Sequence, residues 1–248
     1  MTAVPLVLGR TWTSSPGEGR SPAELRELAE IAGPELELAS AEDIVEWAVG
    51  AFGARFCITS SMTDAVLAHL ASRIAPGIDL VFLDTGYHFV ETLGTRDAVE
   101  ATMHVNVRTV TPALSVAEQD AAYGKDLYAR DPDRCCALRK VAPLSAALAG
   151  YDAWATGLRR EESQSRVIAP VVGWDAAKGK VKVSPLARWT RADVEAYVAG
   201  HGVLVNPLVQ DGYPSIGCRT CTRRVAVGED PRAGRWSGTA KTECGIHA

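Results

Sequence analysis

No stretch of this 248-residue chain approaches the ~20 consecutive apolar residues of a membrane span. The N-terminal MTAVPLVLGR lacks the basic n-region and the cleavage site of a secretory leader. A cytoplasmic location, with reduced cysteines, is therefore expected. The chain has no surplus of positive charge: at a net −4 it does not read as a general nucleic-acid binder. Internal repeats are absent, as is any linker that would set off an independent domain. Disorder throughout is excluded by a hydrophobic content of 47%, enough to bury a substantial core.

What is present first is an alternation of strand and helix. Helices are expected at 22–32 and 41–52, the second opened by Ser40 with Asp43 in capping-box spacing. Strands follow at 55–61, 79–85, 103–110 and 151–158, with helices at 63–75 and 88–101 between the first three. A strand near 180–184 and a helix after Thr190, again boxed by Asp193, complete the pattern. Such βαβ repetition implies an α/β fold with a doubly wound, mostly parallel sheet. Ligands of these sheets bind beyond the strands' carboxyl ends, which singles out Ser60-Ser61, Asp84-Thr85-Gly86 and Thr156-Gly157. Residues 9–22 read as a mobile lead-in. Periodicity fades after Asn206, so the C-terminal stretch is expected to wrap back over the sheet edge.

The positive charge is unevenly placed. Residues 1–155 carry 12 Lys/Arg against 21 Asp/Glu, whereas residues 156–241 carry 14 against 8. Arg159, Arg160 and Arg166 follow Thr156-Gly157, and Arg232 and Arg235 lie near the tail. Several guanidinium forks converging on one point would suit a small, doubly charged phosphate or sulfate ligand. The turn Ser60-Ser61-Met62-Thr63-Asp64 is neither a Walker A nor a GxGxxG loop, but it can present hydroxyls and amides to a nucleotide.

Six cysteines supply the rest of the chemistry. Cys135-Cys136 and Cys218/Cys221 form two pairs whose spacing reads as metal or redox chemistry. Adjacent cysteines converge poorly on one tetrahedral zinc, because their Cα atoms are only about 3.8 Å apart. A cubane offers each thiolate its own iron, so the set leans toward [4Fe–4S], although it matches neither ferredoxin spacing. Cys57 reads as a small core residue. Cys244 stands near the end of the chain beside Glu243, which would suppress its thiolate unless a cationic pocket intervened. The arginine groups could provide that pocket, and a tail thiol could dock on an anionic substrate and then leave to meet a reductant.

Three segments together resemble the adenosine 5′-phosphosulfate (APS) reductases of assimilatory sulfate reduction: Cys135-Cys136 with Arg139-Lys140, the run Gly212 to Arg223, and Glu243-Cys244-Gly245-Ile246-His247. The resemblance implies an adenine-nucleotide α-hydrolase-like sheet with a C-terminal extension that carries the nucleophile. It implies a [4Fe–4S] cluster on Cys135, Cys136, Cys218 and Cys221, and attack by Cys244 on the sulfur of APS to give an S-sulfocysteine and AMP. Thioredoxin would then release sulfite, the precursor for cysteine biosynthesis. By the same matching, Ser60, Ser61, Leu83 and Gly157 would line the adenosine pocket, while Lys140, Arg166, Arg232 and Arg235 would contact the phosphosulfate. Relatives that prefer the 3′-phosphorylated substrate lack the two cysteine pairs. The implied division is a lead-in and helix at 1–40, a nucleotide-binding α/β domain with the iron–sulfur site at 41–227, and a mobile catalytic tail at 228–248. No nucleic-acid or membrane partner is implied, and homo-oligomerisation is left open.

Two other readings make different predictions. An ATP-dependent adenylating or sulfur-inserting enzyme would use the four cysteines for structural zinc, although Ser60-Ser61-Met62-Thr63-Asp64 replaces the glycine-rich loop of such relatives. A nucleotide sensor would bind its ligand without needing Cys244.

Overall fold

The computed structural model describes residues 19–239 and 241–246. Most of the expected lead-in lies outside the described residues, as do His247 and Ala248.

Four helices begin at reciprocal capping boxes. Ser21/Glu24 opens α1 (Pro22–Leu36), Ser40/Asp43 opens α2 (Ala41–Phe52), Ser115/Glu118 opens α5 (Val116–Tyr123) and Thr190/Asp193 opens α9 (Arg191–His201). Each box satisfies backbone N–H groups that the first helical turn leaves without partners. Between them lie α3 (Val66–Ile74), α4 (Val90–Thr102), α6 (Leu127–Arg130), α7 (Pro132–Cys136) and α8 (Ala142–Ala147). A π-helical turn, Ala137–Val141, joins α7 to α8.

The described residues contain six strands, β1 (Phe56–Thr59), β2 (Ile78–Leu83), β3 (Val105–Val110), β4 (Ala153–Ala155), β5 (Val172–Asp175) and β6 (Lys180–Val183). They form one sheet in the order β3-β2-β1-β4-β6-β5, parallel except for the antiparallel edge strand β5. β1, with Ile58 opposite both Leu80 and Ala155, is covered on both faces, as parallel strands require. Phe56 and Ile58 enter the larger core with Leu25, Ile44, Leu70, Leu80 and Phe82. Cys57 faces a second core of Val81, Leu144, Leu148, Tyr151 and Trp154. Each fully buried large apolar side chain contributes roughly 1.5–3 kcal/mol. Among the described residues no helix is long and apolar enough to cross a membrane.

The chain builds β1, β2 and β3 in one direction and then crosses to β4 on the other side of β1. That reversal opens a crevice at the carboxyl ends of β1 and β4, where Ser60 and Thr156-Gly157 lie. Helix α3 starts at Val66, three residues later than its sequence pattern predicts, because the intervening loop is pulled out of line. Met62 is left-handed (φ 57°), and residues 63–65 hydrogen-bond to Leu204 and Asn206. The C-terminal stretch wraps back onto the sheet, and Lys178, in the hairpin that joins the edge strand β5 to β6, donates to the Ile246 carbonyl near its end. The same stretch covers the loops after β1 and β2: the Arg219 amide donates to the Tyr87 carbonyl at 2.7 Å, and Asp64 pairs with Val205.

Candidate active site

At the crevice is a cavity of about 610 Å³, a size suited to a nucleotide. Ser60, Ser61, Leu83 and Gly157 line its inner wall. Lys140, Arg166, Arg232, Arg235 and Cys244 also face it. The inner wall is held locally: Ser60 Oγ accepts from the Met62 amide (3.0 Å), and Thr59 Oγ1 donates to the Ala155 carbonyl (2.9 Å). His88, unremarkable in the sequence, also lines the cavity and lies 2.7 Å through Nε2 from the Leu83 carbonyl. Its Nδ1 is buried without a hydrogen-bond partner.

The arginines divide into groups that sequence proximity does not predict. Arg159 reaches the cavity wall beside Glu161 and Glu162. Arg160 turns away and pairs with both carboxylate oxygens of Glu37 at 2.6 and 2.9 Å. Arg166 and Arg232 meet the carboxylate of Glu243, at 2.7 and 3.3 Å. Burial raises the pKa of Glu243, but its hydrogen bonds and charge attraction to Arg166 and Arg232 overcome this and hold it down at about 2. Glu243 is thus already neutralised by its arginines and does not suppress the adjacent thiol.

Cys244 is buried beside the Cys136 thiol, Lys140 and Arg235. With Cys136 protonated, its hydrogen bond, opposed by burial and assisted by Lys140, lowers the Cys244 pKa to about 5; a metal-bound Cys136 thiolate would have no proton to give, leaving Lys140, the Ile246 amide and Arg235 to favour the Cys244 thiolate. Cys136 is pushed up by donating that hydrogen bond and by burial. Lys140 is not the exposed helix lysine that its position after Cys136 allows. Burial works against its charge, but the sulfurs of Cys218, Cys244 and Cys136 more than compensate, and its pKa is raised. Arg235 is lowered by burial and then by Arg232, so the cations are crowded as in a site built to receive an anion. Tail docking is completed by Lys178, whose Nζ donates to the Ile246 carbonyl at 3.0 Å.

Cys135 lies beside Cys218 and Cys221, while Cys136 and Cys218 both neighbour Lys140. Burial and the neighbouring Cys218 and Cys221 raise Cys135 to about 11. Thr85 Oγ1 lies 3.3 Å from Cys218 Sγ, and the Cys221 amide donates to the Cys218 carbonyl at 2.9 Å. All six cysteines are free thiols. Among the described residues no three Cys, His, Asp or Glu side chains are grouped to hold a single metal ion. Sulfurs around one tetrahedral zinc would stand only about 3.8 Å apart, given Zn–S bonds of about 2.3 Å.

The comparisons with known proteins agree with this geometry. The model of the phosphoadenosine phosphosulfate reductase domain matches residues 55–224. This chain belongs to that family. The adenosine 5′-phosphosulfate reductase of Streptomyces coelicolor is 66% identical over 230 residues, covering 93% of this chain and 98% of the relative. The enzyme of the same name from Mycolicibacterium smegmatis is 56% identical over 224 residues, covering 90% and 95%. Among solved structures, the phosphoadenylyl-sulfate reductase of Candida auris in its phosphate complex superposes with a TM-score of 0.66 at 29% identity, covering 78% of this chain and 95% of that one. The family's adenine-nucleotide α-hydrolase-like sheet is the one described above. Within this reductase fold, Glu243, His88 and Lys178 are the pocket and tail residues that sequence reasoning did not assign, whereas Thr85, singled out at the end of β2, lines the cavity beside Cys218. Only Glu243 carried a signal, as an acid next to a thiol with arginines elsewhere to neutralise it.

Proposed function

We propose that this protein reduces adenosine 5′-phosphosulfate to sulfite and AMP in assimilatory sulfate reduction. The carrying observation is the Cys244 thiol, held among Lys140, Arg235 and Cys136 at a nucleotide-sized cavity. Adenosine lies against Ser60, Ser61, Leu83 and Gly157, and the phosphosulfate faces the cations. The Cys244 thiolate attacks the sulfate sulfur. An S–S bond forms, the S–O bond to phosphate breaks, and AMP leaves with the electron pair, stabilised by neighbouring cations. A dithiol reductant of the thioredoxin class then attacks Sγ of the S-sulfocysteine. Sulfite departs with the bonding pair, and the second reductant thiol resolves the mixed disulfide, regenerating Cys244 and oxidising the reductant. The two electrons come from that dithiol. Docking and departure of the 228–248 tail alternate between these steps, and the reaction belongs in the cytoplasm.

Cys135, Cys136, Cys218 and Cys221 would hold a [4Fe–4S] cluster. It would supply a fixed charge and sulfides able to accept hydrogen bonds, and Lys140, which neighbours Cys136 and Cys218, would orient the substrate anion. Iron and acid-labile sulfide analysis of anaerobically purified protein should give a brown, iron-loaded enzyme. A colourless zinc protein would contradict the assignment.

The functional test is intact-mass spectrometry after anaerobic incubation with APS and no reductant, followed by peptide mapping. The expected product is one sulfonate adduct on Cys244, discharged by thioredoxin and absent from Cys244→Ser. Iron-loaded protein that forms no adduct would overturn the reading.

A further inference from the structure

Arg166 is the most heavily engaged cation of the cavity. Its Nε and Nη2 donate to the two oxygens of Glu243 at 2.7 and 2.8 Å, and its Nη1 donates to Glu162 at 2.5 Å. Ser163 Oγ donates to the same Glu243 carboxylate at 3.0 Å. The fork is thus spent on two carboxylates, and a phosphosulfate added there would meet both negative charges. The other cations differ. Among the described residues, the Arg232 side chain donates only through Nη2, to the Thr242 carbonyl and Glu243. Arg235 donates through Nη1 to Ser215 and the Ile216 carbonyl and stacks on Trp236 at 4.5 Å, with its buried Nε left without a hydrogen-bond partner among the described residues. Among the described residues, neither Lys140 nor Arg235 forms a salt bridge; their charged neighbours include the cysteine sulfurs.

We infer that Arg166 is a positioning residue that latches the tail: it clamps Glu243 against Ser163 and Arg232, which holds the adjacent Cys244 against Lys140 and Arg235. The substrate anion is left to Lys140, Arg235 and the free Nε and Nη1 of Arg232. This division of labour rests on the proposed reaction, whereas the latch itself does not. It also narrows the role that family resemblance gives Arg166, from a contact to the phosphosulfate to a contact to the protein's own tail. Cys244 is the residue next to Glu243, so loss of the clamp frees the nucleophile without touching the adenosine wall.

The test uses full-length, iron-loaded protein held anaerobically at pH 9, where even an unperturbed thiol is largely ionised. Iodoacetamide labelling of the Cys244 peptide is followed by mass spectrometry, and ADP binding by calorimetry. Arg166→Gln and Glu243→Gln should each accelerate labelling about tenfold or more, the usual scale for truncating one partner of a buried charge pair. The double variant Arg166→Gln with Glu243→Gln should label no faster than the faster single variant, because each substitution alone already opens the same clamp, and Arg166→Gln should keep its ADP affinity within about twofold. Unchanged labelling with ADP binding weakened about tenfold would make Arg166 a ligand contact and overturn the latch. Acceleration in the double variant equal to the product of the two single effects would show independent actions and overturn it too. Glu243 lies on the tail, so its variant tests the latch even if replacement of Arg166 impairs folding. Failure of wild-type protein to form the Cys244 sulfonate would remove the proposed reaction and leave the labelling comparison intact.

Discussion

Asn206 Nδ2 donates to the Met62 carbonyl across 3.0 Å, which ties the C-terminal third of the chain to the loop that carries Ser60 and Ser61. Asn206 is fully buried; the same amide donates to Thr92 Oγ1 at 3.1 Å, and its oxygen accepts from the Leu208 amide at 3.1 Å. Asn206→Ala would leave several buried partners unsatisfied, at a cost of about 2–4 kcal/mol. Thermal denaturation should show Tm lower by about 5–10 °C. Re-ordering the loop on binding should weaken AMP about fivefold, measured by calorimetry. Unchanged AMP affinity would show that the loop does not need this clamp.

Arg160 and Arg159 are neighbours with separate fates, and only Arg159 faces the cavity. Arg160→Met breaks the half-exposed pair with Glu37 and should cost about 1 kcal/mol, with Tm falling about 2–4 °C. Turnover per folded molecule should stay at the wild-type value in a sulfite-release assay.

Ile246 packs on the second core of Leu144, Leu148 and Trp154. Truncation in Ile246→Ala removes about 1–2 kcal/mol of apolar contact from the docked tail, or about tenfold in the docking equilibrium. kcat/KM for APS should fall by about that factor while AMP affinity holds. Steady-state kinetics beside calorimetry separates the two.

Lys182 on β6 projects toward Trp154, 5.5 Å from its ring, and burial lowers its pKa to about 8 despite the attraction of Asp175. In the unfolded chain the lysine holds its proton to about pH 10.4, so between roughly 8 and 10.4 the unfolded state binds more protons than the folded one. This residue's contribution to stability therefore rises with pH across that window, and below it the buried charge is a fixed cost. Lys182→Met should raise Tm at pH 7 and flatten the rise between pH 8 and 10. Denaturation midpoints at three pH values check both.

Much of the fold is legible in the sequence because each element carries its own signal. The Ser40/Asp43 and Thr190/Asp193 boxes mark real helix starts, and the apolar runs at 56–59, 78–83 and 153–155 are the central strands. Helix α5 escapes the same reading because only Gln119 is buried along it, which leaves no apolar stripe to detect. Strand β5, at the sheet edge, is mostly half-buried and pairs in the antiparallel sense. The start of α3 is displaced because Met62, Thr63 and Asp64 answer to partners some 140 residues away.

By itself the sequence determined which chemical groups the protein owns: two cysteine pairs, a tail thiol, hydroxyls at a strand end and a surplus of arginine after residue 155. It also determined the alternation that brings strand ends together, since periodicity and capping are local properties of the chain. Only the tertiary structure decided how those groups are spent. It turned Arg160 toward Glu37, 123 positions away, and Arg166 toward Glu243, 77 positions away, and it placed Lys140 among three sulfurs. Ion pairs and desolvation depend on distances through space, and those are set when sequence-distant segments pack against one another.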